Sequence, residues 1–344
     1  MKKKVLIPAI IIAVLALAGF VGTKLVFWYI DNKASNFTQE TVIEVTGSAD
    51  AHVTLKDIVD NAGVIRVKSI ERAFRDKKVE QYIQKGHYVI KPGYSSVYVA
   101  RMLNNCWQTP VNLVLSGTMR TKSSIISKID KQMMVANGDI YNALNDNEFL
   151  SKYGYNTQNV FSLFIPDTYE MYWTATLDEI FQKMKDANDA FWTEENLQKA
   201  KKQGLTREEV SILASIVQGE TNYEPEMPKV AGVYLNRLHI GMRLQADPTI
   251  AFCFNYEPTR ILNKHLEVDS PYNTYKYAGL PPGPICVPSK AALNAVLNPD
   301  GRDWLYFCAN SDFSGTHKFA SSLSEHMKNA RAFQAELNRR QASR

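Results

Sequence analysis

The sequence contains no CxxC pair, no GxGxxG or GxxxxGK[ST] phosphate loop, and no HExxH, GxSxG or SxxK motif. Nucleotide use, thermolysin-like zinc chemistry and the common forms of serine acyl transfer therefore lack their sequence supports, and no metal or cofactor is expected. Cysteine is scarce: Cys106, Cys253, Cys286 and Cys308 are the only four and none form a CxxC pair, so a zinc ribbon or thioredoxin-like site is not supported. They stand either as buried free thiols or, in an exported protein, as disulfide partners, with Cys286 and Cys308 the first pair to test. Charge of one sign is also scarce in the body of the chain. The net charge is +5, but residues 1–4 hold three lysines. The tail from Lys328 holds four net positive charges through Arg331, Arg339, Arg340 and Arg344 against Glu336, which leaves a net −2 between the ends. A body of that kind offers no basic face to phosphates, so nucleic acid is not an expected partner. The tail reads as a solvated helix end. With 45% hydrophobic and 22% charged residues in 344, disorder and collagen-like repeats are excluded, and the length exceeds one small domain.

Long apolar runs are limited to one. Val5 to Thr23 carries no charge, and after Lys24 the apolar text resumes as LVFWYI to Ile30. About twenty residues at about 1.5 Å rise cross a hydrocarbon layer of about 30 Å. Lys2, Lys3 and Lys4 before the run, and Trp28-Tyr29 at its far end, fit the positive-inside rule and an interfacial aromatic belt. The expectation is a single-pass inner-membrane protein with a cytoplasmic N-terminus and residues 31–344 on the periplasmic side. A cleaved signal peptide is the alternative, with small residues Ala16, Ala18 and Gly22 available for it.

Beyond the polar stem DNKASNFTQE, the text predicts a strand (VIEVTG), a helix (TLKDIVDNAG), and one longer helical run (KSIERAFRDKKVEQYI). A strand (GHYVIKPG), a helix capped by Ser95 or Ser96 (SSVYVARMLNN) and another strand (PVNLVLSG) follow. The pattern of Gly86, Tyr88, Pro92, Gly93 and Leu103 resembles a LysM-like module, a type that lies on cell-wall glycan; structural support is the alternative role. Helical periodicity dominates 121–203 through TKSSIISKIDKQM, GDIYNALND and TLDEIFQKMKDANDAFW, interrupted by FIPDTYEMYW, where Pro166-Asp167 marks a turn. The rest opens with a helix, passes through text dense in Pro, Gly and Tyr, and ends in a strand (WLYFCA) and a helix (LSEHMKNARAFQAELN). The predicted class is α+β in three parts: 1–30 as cytoplasmic tip and transmembrane helix, 31–120 as the LysM-like module, and 121–344 as the catalytic domain.

The helix TREEVSILASIVQGET carries the strongest chemical signal. Thr206 and Glu209 form a capping box at its start. Val210, Leu213, Ala214 and Val217 share one face, widened by Ile212 and Ile216, while Ser211, Ser215 and Gln218 form a polar stripe. At 3.6 residues per turn, Glu220 falls about 20° from Leu213, which places a carboxyl on the apolar side. Desolvation there disfavours the charged form and raises the pKa, as a general acid near neutral pH requires. The alternative is that Glu220 caps, or pairs with Arg237 or Arg243. A second amphipathic helix follows (Val230, Val233, Tyr234, Arg237), stopped at Gly241, and then a polar turn from Gln245 to Thr249. The segment SPYNTYKYAGLPPGPICVPS has the composition of a sugar-binding groove.

The ordered motifs LASIVQGET, VAGVYLNRL, GMRLQADPT, SPYNTY, GLPPGPI and GTHKF, preceded by FIPDTYEMYW, closely resemble the endolytic murein transglycosylase family (MltG/YceG-like), over about Phe164 to Glu336. The resemblance implies cleavage of the MurNAc–GlcNAc bond within nascent peptidoglycan strands, leaving a 1,6-anhydro-MurNAc end. It also implies that Glu220 is the catalytic acid/base. One departure is Gln218, where the family often has a second Glu. A single carboxyl suffices for this chemistry, because the substrate's own C6 hydroxyl supplies the nucleophile, whereas hydrolytic glycosidases use two. Asp247 is the candidate second carboxylate; set across the bond from Glu220 it would favour muramidase hydrolysis, and otherwise it caps the turn before Pro248. Gln245, Asn273, Tyr275 and His317 are the other candidate substrate contacts. Glu224 and Glu226 are expected to be solvated. The partners expected are peptidoglycan glycan strands, the membrane, and wall-synthesis enzymes close to it; a non-catalytic wall-binding or division scaffold is the reading from another class.

Overall fold

The computed structural model describes residues 2–46 and 51–342, and divides into two compact units, one formed by residues up to 112 with 170–175, the other by 113–169 with 176 onward.

The first unit begins with helix α1 (Lys2–Asn32), whose stretch Ile10–Asn32 has a mean hydropathy of 2.4 and exposes its side chains as far as Tyr29. It is the one helix among the described residues long and apolar enough to cross a membrane. Strand β1 (Thr41–Val45) follows, then helices α2 (Ala51–Asn61), α3 (Val67–Asp76) and α4 (Val79–Tyr82), strand β2 (Gly86–Ile90) and helix α5 (Ser96–Asn104). β1 and β2 pair antiparallel from Thr41 opposite Ile90 to Val45 opposite Gly86. Alternate residues Ile43, Val45, Tyr88 and Ile90 are buried against Ile58, Ile70, Val99 and Leu103 from α2, α3 and α5. Ser95 is the α5 cap, its hydroxyl accepting from the Tyr98 amide.

Two features are absent from the sequence reading. The polar stem is partly packed: Asn36 is buried, donates to Ser96 Oγ at 2.9 Å and the Arg66 carbonyl at 3.1 Å, and accepts from the Arg66 amide. Just before it, Arg72 grips Asp31 with both nitrogens, at 2.9 and 2.7 Å, so α1 enters the unit as a continuous helix with no slack. Second, the single run expected over KSIERAFRDKKVEQYI breaks into α3 and α4 at Lys78, which is left-handed (φ 52°). Asn104 of α5 donates to the Lys77 carbonyl at 2.8 Å and holds the break.

β3 (Val111–Leu115) leads into the second unit: α6 (Lys122–Asp130), α7 (Asn137–Asn145), α8 (Asn147–Ser151), β4 (Asp167–Met171), α9 (Leu177–Phe191), α10 (Glu194–Lys202), α11 (Arg207–Glu220), α12 (Met227–His239), α13 (Asp247–Cys253), α14 (Lys290–Leu297), β5 (Tyr306–Ala309), β6 (His317–Ala320) and α15 (Leu323–Ala342). Three 3-10 turns intervene at Val160–Leu163, Glu224–Glu226 and Asn263–Glu267. The turn expected at Pro166-Asp167 opens strand β4, and the polar turn at Gln245–Thr249 runs into helix α13. There Pro248 lies in the first turn, where its missing N–H leaves no bond unmade.

The core of this unit is built on α11, buried nearly all round: Val210, Leu213, Ala214, Ile216 and Val217 pack with Val230, Ala231 and Tyr234 of α12 and Ala292, Leu293 and Val296 of α14. The polar stripe has a structural use. Ser215 Oγ accepts from the Ile285 amide at 3.0 Å, and its carbonyl accepts from Cys286 Sγ at 3.4 Å, which docks the GLPPGPI loop on the helix. All four cysteines are free, so the Cys286–Cys308 pairing is not formed; Cys286 is buried against α11 instead. Strands β5 and β6 form an antiparallel hairpin, of which only the first strand was expected from sequence.

Gly232 lets α12 approach the loop after α14, since a Cβ there would sit 2.5 Å from the Asp300 carbonyl oxygen. Gly232→Ala is expected to destabilise the fold by about 1–3 kcal/mol through overpacking. The readout is a lower denaturant midpoint at unchanged slope; an unchanged midpoint would mean that the loop yields freely.

Candidate active site

Glu220 is the last residue of α11, and its position depends on the glycine before it. A Cβ on Gly219 would lie 2.5 Å from the Pro248 Cβ, so only glycine lets the first turn of α13 come against the end of α11. That approach brings Glu220 and Asp247 into one cavity of about 520 Å³, lined also by Arg120, Pro248, Ala251, Tyr256 and the stretch from Pro258 to Ile261. Tyr234 reaches Glu220 from α12, its hydroxyl donating to Oε1 at 2.5 Å. Tyr275 donates to Asp247 Oδ1 at 2.6 Å.

Burial pushes the Glu220 pKa up to about 7, assisted by the Asp247 charge and opposed by the Tyr234 hydrogen bond and by Arg237. The desolvation outweighs the hydrogen bond, so the side chain holds its proton near neutrality while one edge faces the cavity. Tyr234 is itself driven well above its ordinary value, chiefly by burial and then by the Glu220 charge, which keeps it a donor. Tyr275 is raised as well, by burial and by Asp247.

Neither arginine considered as a partner pairs with Glu220. Arg237 is buried and gives Nε to the Leu305 carbonyl at 2.7 Å and Nη1 to the Leu244 carbonyl. Arg243 donates to the Tyr275 carbonyl at 3.1 Å. Among the described residues no cation forms an ion pair with Glu220.

The sequence candidates separate by place. Glu220 and Asp247 share the cavity, Tyr275 joins them through its bond to Asp247, and Gln245, exposed and left-handed (φ 51°), lies two residues before Asp247. Asn273 is fully buried: its amide donates to the Leu266 and Val268 carbonyls at 2.9 and 2.7 Å, and its oxygen accepts from the Tyr275 and Lys276 amides. It holds the loop that carries Tyr275 and lines no part of the cavity. His317 also lies outside the lining, bound through Nδ1 to Glu226 Oε2 at 2.7 Å, while its amide donates to Oε1 at 2.8 Å. The expectation that Glu226 is solvated is corrected here: it is 3% exposed, because β6 folds over it, whereas Glu224 is exposed. Tyr234, Arg120, Tyr256 and Arg260 were missed as site residues. Only Tyr234 left a trace in the sequence, a hydroxyl-bearing ring on the apolar face of α12, one turn before Arg237. Among the described residues no cluster of His, Cys, Asp and Glu could hold a metal ion.

A buried helix that ends in a carboxyl whose pKa is raised by burial, at an open polar cleft, is a candidate acid/base site. The chain belongs to the YceG-like family, whose sequence profile matches residues 45–332. It is 30% identical over 230 residues to the endolytic murein transglycosylase of Bacillus subtilis strain 168, covering 62% of this chain and 59% of that protein. It is 31% identical over 173 residues to the endolytic murein transglycosylase of Streptococcus pneumoniae strain D39, covering 48% and 30%. The matched regions thus span less than two thirds of either relative's length. A crystal structure of a YceG-like protein from Listeria monocytogenes shares the fold, with a TM-score of 0.56 at 24% identity over 84% of this chain and 98% of that one.

Two outcomes follow from the buried acid. The folded-state value of about 7 lies above the ordinary glutamate value of 4.5, so the protonated carboxyl stabilises the fold below about pH 4.5, and that contribution is lost as pH rises through about 7. Glu220→Gln, neutral throughout, should therefore gain about 2–3 kcal/mol on wild type between pH 4 and pH 8 in urea unfolding; a gap independent of pH would contradict the shift. Tyr234→Phe removes a donor to the carboxylate and should raise the Glu220 pKa by about one unit. Carboxyl carbon NMR titration reads this directly, and an unchanged value would exclude Tyr234 as a control on the proton.

Proposed function

We propose that this chain is a membrane-anchored endolytic murein transglycosylase that cleaves the MurNAc–GlcNAc bond within peptidoglycan strands and leaves 1,6-anhydro-MurNAc ends. The names of the Bacillus and Streptococcus relatives support the substrate and reaction. The observation that carries the reading for this chain is Glu220, held protonated by burial at the edge of a polar cavity.

Glu220 is the single acid/base. It gives its proton to the glycosidic oxygen as the C1–O bond breaks, the C6 hydroxyl oxygen of the same muramyl ring bonds to C1, and the carboxylate takes the C6 proton. Atoms balance without water, metal or cofactor, and the acid returns to its starting state. Tyr234 offers one hydrogen bond to the carboxylate formed midway, which limits the penalty of burying that charge. Asp247, with Tyr275 on one oxygen, and Gln245 beside it are the substrate contacts; Asn273 fixes their loop and His317 lies further along. Asp247 in the same cavity also favours a second reading, hydrolysis by activated water, since two carboxylates at one cleft are the arrangement of hydrolytic muramidases.

The anchor reading places one span with its N-terminus in the cytoplasm, and the remainder in the periplasm at the inner membrane, near wall-synthesis enzymes. Its support is the single apolar helix and the lysines before it. The division into 1–30, a LysM-like module over 31–120 and a catalytic domain over 121–344 is proposed with it; the antiparallel β1–β2 pair backed by α2, α3 and α5 supports the module.

Glu220→Gln is expected to lower release of anhydro-muropeptides by about 10²–10⁴-fold while the protein still melts cooperatively, and wild-type turnover should fall as pH rises past about 7. Mass spectrometry of the new strand ends decides the reaction type: ends heavier by one water would replace transglycosylation with hydrolysis. Undiminished product from the Gln variant would overturn both.

A further inference from the structure

Beyond the acid and its neighbours, the cavity at Glu220 has a cationic rim. Arg120 and Arg260 line it, both exposed, and among the described residues neither forms an ion pair. Arg120 lies over the Tyr256 ring at 5.4 Å. These two residues also line a second cavity of about 450 Å³, so the two spaces meet at the Arg120–Tyr256 pair.

The second cavity is chemically unlike the first. Its lining contains Arg120 and Lys122 and no carboxylate. Thr157, Gln158 and Asn255 present groups that both donate and accept hydrogen bonds, and rings such as Phe252 and Tyr272 supply apolar wall. Lys122 is held in place by the Leu144 carbonyl at 2.8 Å and Asn145 Oδ1 at 2.9 Å, which leaves one of its three donors for a ligand. Positive charge, amide-matching side chains and apolar wall together fit a short peptide ending in free carboxylate. A peptidoglycan strand carries such a group on the muramyl lactyl ether, next to the bond that Glu220 would break.

We propose that the cavity beyond Arg120 and Tyr256 is a subsite for the carboxylate-bearing peptide branch of the glycan strand, with Arg120 as its gatepost cation and Arg260 a second cation on the Glu220 side. This rests on the reading of the Glu220 cleft as a peptidoglycan site. The subsite selects strands that still carry peptides and fixes which sugar of the repeat presents its bond to Glu220. An unpaired arginine suits that task, since its fork geometry reads a planar carboxylate with two parallel hydrogen bonds.

The test is a binding comparison that does not depend on turnover. Full-length Glu220→Gln protein in detergent is titrated with fluorescently labelled glycan strands, either peptide-bearing or stripped of peptides by an amidase, with the lactyl carboxylates that the cleavage frees then capped as neutral amides. Peptide-bearing strands should bind about tenfold or more tightly. Adding Arg120→Gln should bring that ratio to near one, and Arg260→Gln should reduce it in part. Arg120 is exposed, and an unchanged melting temperature shows that the variant keeps its fold. Equal binding of the two strands, or a ratio unmoved by Arg120→Gln, overturns the subsite. A preference that Arg120→Gln abolishes supports it, and if wild-type protein then yields no anhydro ends, the transglycosylase reading fails while the subsite stands.

Discussion

The arrangement depends on a steric vacancy. Because residue 219 has no side chain, Pro248 can lie against the last turn of α11, and the α13 helix starts where Glu220 ends. Any larger residue would push the two elements apart, admit water to the carboxyl and separate it from Asp247. The acidity of Glu220 is therefore governed by an apolar contact, Gly219 against Pro248, between the two carboxyl-bearing residues that flank it. Once water is excluded, the Tyr234 hydroxyl becomes the main group opposing protonation. A buried carboxyl with one strong donor and a nearby negative charge sits between two extremes: without the donor, ionisation would be too costly; with a paired arginine, the proton would be lost.

The rest of the second unit reads as support for that balance. Arg237 is near enough to influence Glu220, yet its nitrogens are committed to the Leu244 and Leu305 carbonyls, which tie α12 to the segment before α13 and to the β5 hairpin. Burial pulls this guanidinium below its ordinary value, and the carbonyls satisfy donors that would otherwise be free to seek the carboxylate. Asn273 acts in the same way at a distance, fixing the loop that carries Tyr275 to Asp247, while Ser215 and Gly232 hold loops against the helices α11 and α12 that bear Glu220 and Tyr234.

What the sequence revealed follows the range of the forces involved. The α11 capping box, its apolar face and the turning of Glu220 into that face are local, and helical geometry alone conveys them. The resemblance through six ordered motifs supplied the rest of the site's outline. What stayed hidden depended on long-range contacts. Pro248 reads as a turn until one sees that the first helical turn tolerates it. Glu226 reads as solvated because nothing nearby in sequence announces that His317, far along the chain, folds onto it. Asn273 has the composition of a sugar contact, but its amide is consumed by its own loop. The break at Lys78 was equally hidden, since the side chain that holds it belongs to α5.

The two charges on the rim of the cleft do not undo the neutral state of the acid. Arg120 and Arg260 are solvent-exposed, where screening reduces the reach of a charge, and neither is among the groups that shift Glu220. Burial acts on the carboxyl directly, at no distance at all. A site can therefore keep a proton at its centre and cations at its edge, provided the edge stays wet and the centre stays dry. That separation suits a substrate whose backbone is neutral sugar and whose branches are anionic: the branch meets charge in solvent while the bond to be broken meets an uncharged acid.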